Sequence, residues 1–239
     1  MTAKIRLYID VPLGEGQSVP LSRDHAHYLV SVMRQGVGDR IVLFNGHDGE
    51  WLAEIAAANK RSGVAVCQRQ TRKQEMPPDL WLLFAPIKKA RTDFIVEKAA
   101  EMGARRIVPV LTEYTNSERI RQDRLQAHAV EAAEQCGGVF VPEVAEAVKL
   151  SRLLDRWDKT RQLMFCDEAL AGADTNLPGL PRPWAILIGP EGGFSPSERD
   201  RLRGLGFSHP VSLGPRILRA DTAAVAAMTV WQQVLGDWP

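Results

Sequence analysis

The sequence predicts an α/β protein in two parts, a small β-barrel followed by a longer segment built on a parallel sheet. Three observations carry this. Residues 1–70 hold four short strand-like runs with brief turns and one small helix. Gln70–Pro78 is polar and closes on Pro77-Pro78, which suits a linker. From residue 79 to 239 the pattern changes to strand-then-helix, the grammar of a parallel sheet covered by helices. The domains are therefore placed at 1–72 and 77–239.

The elements follow in order. Residues 4–9 alternate polar and apolar like a half-buried strand. Asp24 is placed to cap a helix running through Arg34, with Ala26, Leu29, Val30 and Met33 on one face. Arg40–Phe44, Trp51–Ala56 and Val64–Arg69 read as strands, with Asn45-Gly46 and Asp48-Gly49 marking a tight connection. Leu80–Ala85 is the first strand of the second part. Thr92–Met102 is helical, its apolar residues Phe94, Ile95, Ala99 and Met102 correctly spaced and Gly103 as the stop. Arg106–Val110 is a strand, Arg121–Cys136 a helix ended by Gly137-Gly138, and Leu163–Cys166 a further strand. Asp167–Pro183 is a Gly- and Pro-rich loop. Trp184–Ile188 is wholly apolar, as a strand buried on both faces should be. A short strand near His209–Leu213 and a helix from about Arg219 to Leu235 complete the chain.

Chemistry concentrates between Trp184 and Thr222. Gly189-Pro190-Glu191-Gly192-Gly193-Phe194 follows one strand and precedes a helix that Ser195-Pro196-Ser197-Glu198 opens with a capping box and Pro at its first position. Ser212-Leu213-Gly214-Pro215-Arg216-Ile217-Leu218 repeats the layout after the next strand. Open parallel sheets bind ligands at the carboxyl ends of their strands, and glycine lets backbone approach a ligand closely. Two such loops make a pocket rimmed by main chain. The first lacks the Gly-x-Gly-x-x-Gly spacing of a dinucleotide fold and the Gly-Lys-Ser/Thr of a P-loop, so a phosphate cradle is not indicated.

The totals exclude several classes. Thirty basic residues against 29 acidic give a net charge of +1, so bulk charge announces no nucleic-acid partner. The distribution says more, because Lys60, Arg61, Arg69, Arg72 and Lys73 fall in a stretch without an acid. Cys67, Cys136 and Cys166 are odd in number and widely spaced, which supports neither a disulfide framework nor a metal site. No signal-like amino terminus or membrane-length apolar run is present, so a soluble, cytoplasmic protein is expected.

Ile188-Gly-Pro-Glu-Gly-Gly-Phe-Ser195 with Leu213-Gly-Pro-Arg-Ile-Leu-Arg-Ala-Asp-Thr-Ala223 resembles the paired cofactor loops of the SPOUT superfamily of RNA methyltransferases. More closely, it resembles the 16S rRNA uridine-N3 methyltransferase family. The likeness extends along the chain. His27-Tyr28-Leu29, Val32-Met33-Arg34 and Gly38-Asp39 are similar to the opening of that family's PUA-like domain, and Phe44-Asn45-Gly46 with Glu50-Trp51 and Ala53-Glu54-Ile55 to its next hairpin. Lys98-Ala99-Ala100-Glu101-Met102-Gly103 and Glu131-Ala132-Ala133-Glu134-Gln135-Cys136 are similar to two of its helices. The chain departs from the family at Asp221, where Glu is usual, and at Gly138, where Arg is usual.

The resemblance implies transfer of a methyl group from S-adenosylmethionine to N3 of one uridine in small-subunit rRNA. It also implies a PUA-like RNA-binding β-barrel, a SPOUT domain with a deep trefoil knot, and a homodimer. The expected cofactor contacts are the backbone of Leu187, Gly189, Gly193, Leu213, Ile217 and Leu218, with Pro190, Glu191 and Gly214 in the same two loops. Uracil N3 must lose a proton to become a nucleophile, and a guanidinium such as that of Arg219 can hold the resulting charge on O2 and O4. Asp221 is placed to accept the proton, to orient Arg219, or to serve as a first-turn carboxylate of the last helix. Glu191 either faces the cofactor's sulfonium or closes its own loop. Arg6, His27, Arg34, Arg69 and Arg72 are the expected RNA contacts, with His25 a further possibility. Two rival functions remain: another SPOUT target (a 2′-hydroxyl or a guanine), and a non-catalytic assembly factor that binds rRNA.

Overall fold

The computed structural model describes residues 5–116, 119–173, 177–180 and 183–238. The chain divides into two compact units, one holding the residues through Met76 together with Ala133–Val141, the other Pro77–Ala132 and Pro142–Pro239. Residues 133–141 thus belong with the first unit, although they lie far beyond the linker in sequence.

The first unit comprises β1 (Arg6–Tyr8), β2 (Ser18–Leu21), α1 (Arg23–His27), β3 (Arg40–Phe44), β4 (Glu50–Ala58) and β5 (Gly63–Arg72). Its five strands order as β1-β3-β4-β5-β2, with β1 parallel to β3 and the other pairs antiparallel. Alternate residues of β2 point inward, joining Leu7, Leu29, Ile41, Leu43 and Ile55 in one apolar cluster. β2 has no counterpart in the sequence reading, because Val19-Pro20-Leu21 is too short and too proline-marked to register as a strand.

The expected helix over 24–34 is replaced by two shorter pieces. Ser22, not Asp24, accepts the capping hydrogen bond, and α1 gives way to a π-helical turn over Tyr28–Val32. The wider turn tucks Leu29 fully into the core. Arg34 ends it in the left-handed conformation at φ 56°, among the described residues the one non-glycine with positive φ.

The second unit contains β6 (Leu80–Phe84), α2 (Lys89–Glu101), β7 (Arg106–Leu111), α3 (Gln122–Cys136), β8 (Glu143–Val144), β9 (Val148–Lys149), α4 (Leu150–Asp155), β10 (Gln162–Cys166), β11 (Trp184–Ile188), α5 (Pro196–Arg203), β12 (Ser208–Val211) and α6 (Ala220–Leu235). The last turn of α3, from Ala133 to Cys136, falls in the first unit. All pairings are parallel, in the order β12-β10-β11-β6-β7-β8, with β9 beside the far end of β7. Every residue of β10 and β11 is buried, the signature of strands covered on both faces. The polar member, Gln162, meets the imidazole of His209 on β12 at 2.8 Å. Burial lowers the His209 pKa, so the ring is neutral near pH 7.

α6 packs on α2 and β11 and buries Ala220, Ala224, Ala227, Met228 and Trp231. Gln232, also fully buried, donates to the Met102 carbonyl at 2.7 Å and so satisfies the end of α2. The outer side of α6 leaves Val230 and Val234 exposed.

Arg6 corrects an expectation. Its guanidinium does not face solvent as a phosphate contact would. Nη1 donates to the carbonyls of Ala133 and Glu134 at 3.0 Å each, Nη2 to Gly138 at 2.9 Å, and Nε to Glu50 at 3.0 Å. The end of α3 leaves carbonyls unpaired, and a cation there satisfies them and opposes the helix dipole. Arg72 does similar work on the Gly137 carbonyl. Gly138 lends its carbonyl to this cluster.

Arg6→Ala is expected to destabilise the protein by about 3 kcal/mol, because it strands Glu50 and several carbonyls at once. Urea unfolding measures this, with Arg69→Ala, on the exposed part of β5, shifting the result by less than about 0.5 kcal/mol.

Candidate functional site

The carboxyl ends of β10, β11 and β12 open on a cavity of about 330 Å³. Three segments enclose it. Cys166, Asp167, Glu168 and Ala171 continue β10; Ile188, Gly189, Pro190, Glu191 and Gly193 follow β11; Val211, Leu213, Gly214, Arg216, Ile217 and Leu218 follow β12. Arg219, Ala220 and Ala223 of α6 complete the wall. The cavity therefore lies where the rule for parallel sheets puts a ligand.

Glycine is required in the first loop for two separate reasons. A Cβ at Gly189 would sit 2.6 Å from the Phe194 ring, which is buried in the core and meets Phe165 edge-on at 5.0 Å. At Gly193, φ is +70° and a Cβ would fall 2.2 Å from Glu168 Oε1. The loop then enters α5 through Ser195, whose hydroxyl accepts from the Glu198 N–H while Glu198 accepts from the Ser195 N–H. This capping box is the one the sequence specifies.

The charges around the cavity are mostly engaged. Asp167, with a side chain wholly out of solvent, accepts from Arg199 Nε at 3.1 Å and from Arg203 Nη2 at 2.6 Å. Glu168 pairs with the other side of Arg199. Burial works against the Arg199 charge, but Glu168 and Asp167 outweigh it and raise the pKa. Complete burial pushes the Cys166 thiol far above its usual range, so this wall residue is an inert apolar surface, not a nucleophile.

Arg91 on α2 joins two residues singled out from sequence. It pairs with Glu191 of the first loop, and its Nε lies 3.6 Å from Asp221 Oδ2 in the first turn of α6. Asp221 therefore faces Arg91. It does not line the cavity. Arg219 is the N-cap of α6, lines the cavity and is exposed, with no ion-pair or hydrogen-bond partner for its guanidinium among the described residues. Arg216 is exposed on the same wall, equally unpaired among them.

Of the nine expected cofactor residues, the cavity wall holds Gly189, Pro190, Glu191, Gly193, Leu213, Gly214, Ile217 and Leu218. Leu187 is corrected. Its side chain is fully buried in the core with Phe165 and Phe194, and its backbone lies in the ladder between β10 and β6. The residues after β10 are not among the expected site residues, and neither is Arg91, which the sequence groups only with the nearby cations Lys88, Lys89, Arg105 and Arg106. Applying the strand-end rule to Leu163–Cys166 would have found the former; nothing local in sequence marks Arg91.

Among the expected RNA contacts of the first unit, His27, Arg34 and Arg69 are exposed. His27 lines a surface groove with Arg23, Asp24, Lys60 and Arg61. His25 is part-buried, and burial lowers its pKa against the opposing pull of Asp24. Arg6 and Arg72 are committed to the end of α3 as described. Among the described residues no cluster could hold a metal ion, and no helix is long and apolar enough to cross a membrane.

Residues 74–232 match the family model described as an RNA methyltransferase domain, and residues 21–66 the one described as an RNA methyltransferase PUA domain. A ribosomal RNA small subunit methyltransferase E of Rickettsia conorii is 30% identical over 235 residues, 93% of each chain. A methyltransferase of Legionella pneumophila, solved with SAM bound, is 30% identical with a TM-score of 0.89, covering 99% of this chain and 100% of its own. A ribosomal RNA small subunit methyltransferase E of Neisseria gonorrhoeae, bound to S-adenosyl methionine, is 25% identical with a TM-score of 0.89, covering 98% and 99%.

Gly189→Ala and Gly193→Ala are each expected to cost about 1–3 kcal/mol, since an added methyl must displace a packed ring or an ion-paired carboxylate. Gly214→Ala meets no atom within 4 Å and strains only its backbone at φ +116°. Its cost should be about 1–2 kcal/mol, all of it backbone strain. Urea unfolding of the three variants, with crystal structures showing whether Phe194 or Glu168 has moved, checks this.

Proposed function

This chain belongs to the RNA methyltransferase family, and from that premise we propose that it methylates N3 of a uridine in 16S rRNA of the small ribosomal subunit, using S-adenosylmethionine. The observation that carries the proposal is the glycine-walled cavity at the ends of β10, β11 and β12. Its 330 Å³ lies within the range of about 300–1,000 Å³ usual for small-molecule sites. Its character suits the cofactor. Ile188, Val211, Leu213, Leu218 and Ala223 offer apolar walls for an adenine, and the bare backbone at Gly189, Gly193 and Gly214 lets main chain approach a ligand closely. When bound, the cofactor supplies an electrophilic methyl group on sulfur.

The chain's own residues then have distinct tasks. Arg219, unpaired at the cavity wall, holds the negative charge that spreads over uracil O2 and O4 once N3 is deprotonated. Asp221 and Glu191 are drawn together by Arg91, which ties the first turn of α6 to the first loop and so sets the backbone that carries Arg219. Asp221 is thus a positioning residue, and a carboxylate one methylene shorter than the usual glutamate still reaches Arg91.

The first unit serves as a PUA-like barrel that binds rRNA phosphates through His27, Arg34 and Arg69. The second unit is proposed to carry the deep trefoil knot of SPOUT enzymes, its three loop segments crowding one cavity. A homodimer acting in the cytoplasm completes the proposal, with exposed Val230 and Val234 on α6 as the face a second copy would cover.

Isothermal titration should show S-adenosylmethionine binding, and mass mapping of 16S rRNA from cells with and without the gene should show one methyluridine lost. Failure of both would overturn the proposal, and a lost 2′-O-methyl or methylguanine would redirect it. Arg219→Ala is expected to lower kcat by about a hundredfold or more. Cofactor affinity, measured by the same titration, should stay within a few-fold.

Replacing Arg34 and Arg69 together with alanine should make the salt slope of RNA binding shallower by about 1.4–1.8, in proportion to the phosphates released. An unchanged slope would remove both from the interface.

A further inference from the structure

We propose that Tyr114 is a stacking platform for a base of the RNA substrate beside the cofactor cavity, an inference that rests on the function proposed above.

Tyr114 follows β7 in a turn that is tightly fixed. The Thr112 N–H donates to Thr115 Oγ1 at 2.8 Å, the two threonine hydroxyls meet at 2.9 Å, and the Thr115 N–H donates back to the Thr112 carbonyl at 3.2 Å. The turn is also tied to the first cavity loop by a single carboxylate. Glu198 accepts the Glu113 N–H on Oε1 at 2.9 Å and the Ser195 N–H on Oε2 at 3.1 Å. Tyr114 itself lies against the bare backbone of Gly192, where a Cβ would come within 3.4 Å of the tyrosine Cβ. Gly192 stands between Glu191 and Gly193, both in the cavity wall.

Despite this anchoring, the residue is 46% exposed. It has no hydrogen-bond, ring-stacking or cation partner among the described residues. A large aromatic side chain held in a rigid turn and left half in water contributes little to this chain's own packing. It is well suited to receiving a ligand, because its backbone is already fixed and only the side-chain torsions remain to be ordered on binding. It does not line the cofactor cavity, so the methyl donor is not its partner. A single aromatic is also far short of the area of about 800 Å² per partner that a protein interface needs. An unstacked base of single-stranded RNA matches it in size and chemistry, and bases splayed from RNA loops are commonly held on tyrosine rings.

Fluorescence anisotropy of a labelled 16S rRNA fragment, with methylation kinetics beside it, tests the assignment on the full chain. Tyr114→Ala should weaken RNA binding and raise the RNA KM about tenfold. Its kcat and cofactor Kd should stay within about twofold, a split that general unfolding would not produce. Tyr114→Phe, which keeps the ring and removes the hydroxyl, should restore both RNA constants. RNA constants unchanged by Tyr114→Ala, or not restored by Tyr114→Phe, would overturn the stacking role. A wild type that binds RNA but never methylates it would instead sink the proposed function, while anisotropy would still decide the role of Tyr114.

Discussion

The cavity depends on a carboxylate that water does not reach. Asp167 sits one residue past the end of β10, its side chain fully buried, and takes hydrogen bonds from two arginines one turn apart on α5. That geometry fixes both the strand end and the helix. The first loop runs between β11 and α5, so its exit is set by the same pair of contacts. Breaking a dry buried ion pair costs about 3–5 kcal/mol, but Arg199 and Arg203 keep 21% and 40% of their side chains exposed, which places this cluster below that range. Its importance is geometric. Arg199 also holds Glu168 against Gly193, so one guanidinium sets the spacing between the segment after β10 and the loop after β11.

The second unit was legible in sequence because its physics is local. An apolar pentapeptide such as Trp184–Ile188 has few alternatives to a buried strand, and Ser195-Pro196-Ser197-Glu198 specifies a helix start through four adjacent residues. The loop glycines were legible for a related reason, since positive φ and close packing leave no other residue. What escaped was non-local. β8 and β9 are two-residue strands that exist only because β7 offers them an edge, and β2 depends on pairing with β5. The π-helical turn at Tyr28–Val32 answers the need to bury Leu29, which no propensity of those residues announces.

Charged residues show the same limit more sharply. A basic residue near a suspected RNA-binding face reads as a phosphate contact, yet Arg6 spends its donors on the end of a helix more than a hundred residues away in sequence. Its partners are backbone carbonyls, which carry no residue identity for a sequence pattern to detect. Arg34 is the opposite case. Its left-handed backbone is where a glycine would ordinarily end the helical turn, and arginine there costs about 1–2 kcal/mol. No ion pair or hydrogen bond of its side chain offsets that cost among the described residues, leaving a strained, exposed cation on the unit proposed to bind RNA.

The arginines of the site divide by the same criterion, and the division assigns their work. Arg199, Arg203 and Arg91 each meet carboxylates, so their charge is already balanced and their function is to set distances between segments. Arg219 and Arg216 meet none, and both lie on the cavity wall. An unpaired guanidinium costs little while it stays hydrated, and its field is unspent. It therefore acts most strongly on a charge that arrives with the substrate or develops during reaction, provided water is displaced at that moment. Arg219 has the further advantage of position. As the N-cap of α6 its backbone is held by a helix whose first turn Arg91 pins through Asp221, so its charge is free while its point of attachment is fixed. The anion-stabilising role proposed for Arg219 calls for both properties, and among the described residues of the cavity wall this combination is found there.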